Sequence, residues 1–205
     1  AFGYFVSDAL THQVGLDNGK HILPWFKAEG KEGQSINLTE GMDQSVLHVP
    51  PADQPHYCLA GDPLHFLDEA LVIANGGRYD QGYVYAHKKV DPQDWFYTCH
   101  FYQDPVMPGS LGIEAILEAM QVYALEQNLG ESFNSPRFGP VPDLNTVWKY
   151  RGQIVSTNND MSLEIHIKQM KQDNHQCIVI GDASLWKEDM RIYEIKDVGI
   201  CISEA

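Results

Sequence analysis

Positive charge is scarce in this 205-residue chain: 14 Lys and Arg stand against 28 Asp and Glu, a formal net charge of -14. A surface of that sign repels phosphate backbones and anionic membrane faces, so neither nucleic acid nor a membrane is an expected partner. Long apolar runs are also missing. No stretch nears the roughly 18 to 20 residues that a spanning helix needs. The first thirty residues lack the basic, then apolar, then small-residue order of a secretory signal, so a soluble, cytoplasmic chain is expected. Cysteine is sparse and scattered, at Cys58, Cys99, Cys177 and Cys201. Without a C-x-x-C pair, a zinc ribbon, a thioredoxin motif and a disulfide framework all lack support, and four reduced thiols are expected. Asn37-Leu38-Thr39 fits a glycosylation acceptor, a pattern without meaning in the cytosol. No trio of His and carboxylates has metal-ligand spacing, so no metal and no cofactor are expected. Repeats and low-complexity segments are absent, and the chain opens on AFGYF without a Met, as a piece of a longer protein would.

What is present is material for one core. Hydrophobic residues make up 43%, with 10 Tyr, 8 Phe and 4 Trp, enough apolar surface to offset chain entropy. Residues 1–55 are weakly periodic and punctuated by Gly30, Gly33 and Pro50-Pro51, which reads as a loop-rich arm or linker from a preceding module. Residues 56–205 read as one domain. An apolar stretch, PLHFLDEALVIANGG, precedes GYVYAHKKV, whose alternation predicts a half-buried strand; DWFYTCHFY, Asp94 to Tyr102, reads as a second strand. QDPVMPG is a turn. SLGIEAILEAMQVYALEQNLG predicts a long helix closed by Gly130, with apolar residues around nearly its whole circumference. MSLEIHIKQM, QCIVIGDASLW and MRIYEIKDVGICI predict consecutive antiparallel strands. The expected fold class is α+β: an antiparallel sheet curled around one long central helix.

Chemistry concentrates at the start of that helix. Glu114 and Glu118 stand one turn apart on an otherwise apolar rod and form, with Gln121, a narrow polar stripe. If the stripe faces a site, burial and the neighbouring like charge favour the neutral acid for at least one carboxyl, and a neutral acid donates a proton. The alternative is the wetted seam of an amphipathic helix. The turn just before it favours a site: His100 ends an aromatic stretch, and the amides of Gly109 and Ser110 at the helix start suit a carbonyl oxygen that gains negative charge. A base, an anion-holding turn and an acid are the parts for removing a proton beside a carbonyl and expelling a β-hydroxyl.

The run CHFYQDPVMPGSLGIEA, residues 99–115, resembles the active-site segment of the bacterial 3-hydroxydecanoyl-acyl-carrier-protein dehydratase/isomerase family, whose fold is the hot-dog. GGRYDQGYVYA, DPQDWFYTCHF and KYRGQIV extend the likeness over roughly residues 55–202. Dehydratase modules of polyunsaturated fatty acid synthases look most similar. The resemblance implies His100 as catalytic base, Glu114 as catalytic acid, Gly109 as the amide that polarises the thioester carbonyl, with Ser110 beside it, and Val106 as the carbonyl that orients the histidine. It implies dehydration of (3R)-3-hydroxyacyl thioesters to trans-2-enoyl products, delivered on an acyl carrier protein by its phosphopantetheine arm. It also implies two sites at the twofold interface of a homodimer, or of a pseudo-dimer with a sibling module. Two departures stand out. Glu114 replaces the Asp of the dehydratase/isomerase and resembles the pure dehydratases, which leaves isomerisation to a cis product open. Glu118 replaces a Gln, and so places a second ionisable group beside Glu114, where it would tune or impair the site.

Other residues read more plainly. Cys99 would lie on the opposite strand face from His100 and pack, and GSLG lacks the G-x-S-x-G spacing of a nucleophile elbow. His166 alternates with Ile165 and Ile167 as an outward strand residue. Lys149, Arg151, Lys168 and Lys171 form a candidate docking patch for the carrier protein, or are merely solvated strand residues. A catalytically silent structural unit of a pseudo-dimer and an acyl thioesterase are the competing functions.

Overall fold

The computed structural model describes residues 22–39 and 57–204. Its elements in chain order are α1 (Trp25–Ala28), β1 (Gln34–Asn37), β2 (Glu69–Ile73), β3 (Tyr83–Lys89), α2 (Phe96–Cys99), α3 (Gly109–Glu126), β4 (Pro136–Pro140), β5 (Val147–Tyr150), β6 (Asp160–Gln172), β7 (Gln176–Lys187) and β8 (Met190–Glu204). The strands form one antiparallel sheet in the order β1-β2-β3-β6-β7-β8-β4. β5 also pairs with β8, through Val147–Lys196 to Tyr150–Tyr193, while β4 pairs further along, from Ile200 to Glu204.

The expected long helix and three long C-terminal strands are all there. α3 packs across β2, β3, β6, β7 and β8. The alternation of β6 sets the layers: Leu163, Ile165 and Ile167 join the helix-facing core, whereas Ser162, Glu164 and His166 point to the opposite face. Gly112 lets the helix approach β8, because a Cβ there would lie 2.5 Å from Tyr193 Cε2. This is the hot-dog arrangement, a curled antiparallel sheet around one long helix.

Two expectations need correction. DWFYTCHFY is not a strand: Phe96–Cys99 is a single helical turn, opened by the Asp91 turn in which the Gln93 N–H donates to Asp91 Oδ1. Aromatic β-propensity yields to burial of Phe96 and Tyr97 in the core. Gly130 does not close the long helix. The chain leaves helical geometry at Gln127, and Asn128 takes the left-handed conformation, φ 52°, that a helix end favours. Gly130 instead seats Tyr57, whose hydroxyl accepts its N–H at 2.9 Å.

His166 lies on the outward face of β6, as expected, and is nevertheless only 1% exposed. The outer face of β6 is covered by the 22–28 segment. Trp25 N–H donates to Glu164 Oε2 at 2.7 Å, the Tyr83 hydroxyl donates to the same oxygen at 2.9 Å, and Trp186 Nε1 donates to the Ile22 carbonyl at 2.7 Å. Part of the arm is thus packed onto the domain. Its residues 34–37 also pair with β2 as an edge strand, with Ile36 and Leu38 buried. The rest of the arm, 1–21 and 40–55, lies outside the described residues.

Candidate active site

Two segments fix the turn between α2 and α3. Val106 bridges Val155, Met107 N–H donates to the Ile154 carbonyl at 2.9 Å, and Ser156 N–H donates to the Pro105 carbonyl at 3.3 Å. The chain around Val106 is therefore pinned, and Val106 and Met107 are buried. His100 caps the C-terminal end of α2. Its Nδ1 lies 3.0 Å from the Val106 carbonyl oxygen. A carbonyl only accepts, so Nδ1 carries the hydrogen and the neutral ring keeps its lone pair on Nε2. The half-buried imidazole is thus held in one tautomer, with its basic nitrogen uncommitted to the Val106 contact.

The start of α3 supplies the second component. Pro108 is its N-cap, no side chain caps it, and no acidic residue occupies the first turn. Its leading amides, those of Gly109 and Ser110, retain donor capacity and sit at the positive end of the helix dipole. Gly109 packs closely: a Cβ there would come within 3.0 Å of Tyr150 Cε2 and 3.1 Å of Trp148 Cη2. Trp148, Tyr150 and Tyr193 meet edge-on or tilted beside this end, with ring centroids 5.1 to 5.4 Å apart. The Tyr193 hydroxyl donates to the Gly109 carbonyl at 3.2 Å, and burial pushes its phenol far above the ordinary range. Trp148 and Tyr150 remain 40% and 41% exposed, an aromatic rim that faces away from the chain's own core.

The polar stripe on α3 divides. Glu114 and Gln121 are half-buried, and Glu118 is buried at 4% exposure. Glu118 accepts the Phe66 N–H at 2.9 Å on one oxygen and meets His65 Nδ1 at 2.5 Å on the other. It is committed to the segment before β2. Burial opposes charge on His65, but the Glu118 carboxylate, reinforced by the Leu38 backbone and Asp62, outweighs it and raises the imidazole above its ordinary value. His65 is not legible in the sequence as a site residue, because its partner lies 53 residues away and no local pattern links them.

Other candidates resolve as follows. Cys99 lies on the α2 turn and is exposed rather than packed, with its Sγ 3.5 Å from the Trp95 carbonyl. Lys149 and Arg151 converge on Glu194, and Lys168 lies 2.7 Å from Asp197, so three of the four cations of the expected docking patch already have acidic partners. No group of three metal-ligating side chains occurs among the described residues. No helix among them is long and apolar enough to cross a membrane.

Residues 59–196 match the model of the FabA-like domain. The chain belongs to that family: it is a FabA-like hot-dog domain. It is also 28% identical, over 99% of its length, to a polyunsaturated fatty acid synthase polypeptide of Thraustochytrium sp., of which it spans only 14%. Among solved structures it resembles the dehydratase heterocomplex ApeI:P from Xenorhabdus doucetiae, at 14% identity and TM-score 0.47 over 73% of this chain and 89% of that one. A putative thioesterase from Shewanella oneidensis follows, at 11% identity and TM-score 0.40 over 66% and 83%. At those scores neither structure bears on function.

Proposed function

We propose that this chain is a 3-hydroxyacyl thioester dehydratase module that works as one half of a pair. The observation that carries the reading is the His100 ring, oriented through Nδ1 by the Val106 carbonyl 3.0 Å away, just ahead of the uncapped amide end of α3. In the proposed reaction the Nε2 lone pair takes the C2 proton of a (3R)-3-hydroxyacyl thioester. The carbonyl oxygen gains negative charge and is held by the Gly109 N–H, with Ser110 beside it. The C2–H electrons form the C2=C3 double bond, the C3–O bond breaks, and the hydroxyl leaves as water with a proton from the partner's Glu114. Return of the proton from His100 to Glu114 resets the site without a cofactor.

The pairing and the delivery are parts of the same proposal. The second half is another copy, or a sibling hot-dog module in a longer synthase. The substrate arrives on the phosphopantetheine arm of a cytoplasmic acyl carrier protein. Membership of the FabA-like family and the likeness to a polyunsaturated fatty acid synthase support dehydration within fatty acid synthesis. In this reading residues 1–55 link to a preceding module and 56–205 carry the site.

The test is complementation. His100→Ala and Glu114→Gln should each abolish water loss from a 3-hydroxyacyl thioester, and an equimolar mixture allowed to exchange protomers should recover about a quarter of wild-type turnover. Half of the pairs are then mixed, and each mixed pair has one intact site of two. No recovery from two folded, exchanging variants would overturn the shared site. Thioester hydrolysis in place of water loss would favour the thioesterase, and inactivity of the wild-type pair would favour a silent structural unit.

A further inference from the structure

Glu118 is one helical turn beyond Glu114, it is almost wholly buried, and yet its carboxylate is spoken for by residues from another part of the chain. Both of its oxygens are used. Oε2 accepts the Phe66 N–H at 2.9 Å and Oε1 meets His65 Nδ1 at 2.5 Å, so two consecutive residues grip one carboxylate. Phe66 and Leu67, just beyond, are core residues at 2% and 1% exposure. The grip therefore fixes the whole 61–67 segment to the middle of α3.

The segment has a second neighbour. Asp62, Pro63, His65 and Phe66 form one wall of a cleft of about 190 Å3, and Asp94, Trp95 and Phe96 form the other. Trp95 Nε1 closes one end by donating to the Pro63 carbonyl at 3.0 Å. Trp95 and Phe96 open α2, the turn that ends on His100. His65 thus touches the acid-bearing helix directly and borders, across a cleft, the turn that bears the proposed base.

We propose that His65 is a positioning residue: its imidazolium and the Glu118 carboxylate form an ionic clamp that holds α3 and the 61–67 segment in fixed relation beside Glu114 and the His100 turn. A lone carboxylate at the depth of Glu118 would be costly, whereas the pair is neutral overall and is further satisfied by the Phe66 amide. The charges that face His65 are Glu118 from α3, Asp62 from its own segment and Asp94 across the cleft, the last paired with Lys88 of β3 at 3.2 Å. Glu118 and Asp62 favour the protonated ring, and burial opposes it. The clamp is complete while His65 is charged and weakens as the pH rises past the imidazole's raised value.

The consequence for turnover rests on the dehydration reading; the clamp itself does not, and the experiment separates them. Three variants of the full chain are compared: Glu118→Gln, His65→Gln, and both together. The His65 titration is followed by NMR, the Phe66 amide by hydrogen exchange, and kcat/KM for 3-hydroxyacyl thioester dehydration across pH 6 to 9. Glu118→Gln is expected to lower the His65 titration midpoint, and either single change to speed Phe66 exchange at least tenfold. Each single change should also reduce kcat/KM about tenfold. The double variant, a neutral pair able to hydrogen-bond, should restore slow exchange and most of kcat/KM while losing the alkaline decline that follows His65 in the wild type. An unmoved His65 midpoint together with unchanged Phe66 exchange would refute the clamp whatever the activity. A clamp that titrates as expected in a dehydratase whose kcat/KM ignores it would refute the positioning role. A clamp that titrates as expected in a chain with no dehydratase activity would support the clamp and count against the dehydration reading alone.

Discussion

The two faces of the sheet both carry histidine and glutamate, but the Glu164–His166 cluster of the outer face and the His100 and Glu114 side chains of the helix side are used in opposite ways. On the outer face, Glu164 receives Trp25 N–H and Tyr83 O–H, while His166 Nδ1 accepts the Arg78 N–H at 3.1 Å and Nε2 lies 3.3 Å from Glu164 Oε1. Every partner comes from the chain itself, and both side chains are at most 2% exposed. On the helix side, His100 spends one nitrogen on Val106 and Glu114 stays half-buried. Residue type therefore does not distinguish the proposed reactive pair from a structural one. Leftover bonding capacity at a reachable place does.

Exchanging the two histidines for alanine is the sharpest way to break that comparison. His100→Ala should cut the rate of water loss by about 10²- to 10⁴-fold, the usual share of a general base. Its thermal unfolding should be little changed. His166→Ala should do the reverse, destabilising the fold while molecules that remain folded keep turning over. Equal loss of activity in folded samples of both variants would erase the contrast.

The outer cluster predicts the next effect. Glu164→Ala leaves Trp25 N–H, Tyr83 O–H and the His166 ring without their common acceptor and should cost about 3 to 5 kcal/mol in denaturant unfolding. Burial favours the neutral acid of Glu164, but His166, the Trp25 amide and Tyr83 outweigh it and hold the carboxyl below its ordinary value. A carboxyl depressed by folding contributes stability that is present above its unfolded value and lost as pH falls through the folded one. Wild type should therefore lose stability on acidification below about pH 4.5 more steeply than Glu164→Gln does.

Gly112→Ala should be milder. The added methyl meets the Tyr193 ring, and the resulting overpacking should cost about 1 to 3 kcal/mol, read from the urea midpoint. Lys168→Ala should be mildest. Lys168 and its nearer partner Asp197 lie at the surface, so a change of about 0.5 kcal/mol or less is expected, and it should shrink further in high salt.

What is legible in the sequence follows long, locally consistent runs. α3 is a long run of good helix formers and β6 to β8 are long runs rich in β-branched and alternating residues, and they form where expected. The site turn is legible because His100, Val106, Gly109, Glu114 and Glu118 lie within nineteen residues of chain. What fails depends on distant partners. The α2 turn reads as a strand because its aromatic residues suit either state, and the choice is made by burial of Phe96 and Tyr97. His166 reads as an outward strand residue, but nothing local announces that Trp25, some 140 residues earlier, covers it. Glu118 stands out in the sequence as unusual, but its purpose requires His65.

β1 has a practical consequence for anyone who trims this chain. Cutting at residue 55, where composition changes, removes the outermost ribbon along with Ile36 and Leu38, and strips β2 of the neighbour that satisfies its main chain. A fragment cut there would present a raw, sticky margin to other molecules, and its insolubility would say nothing about the chemistry of the site.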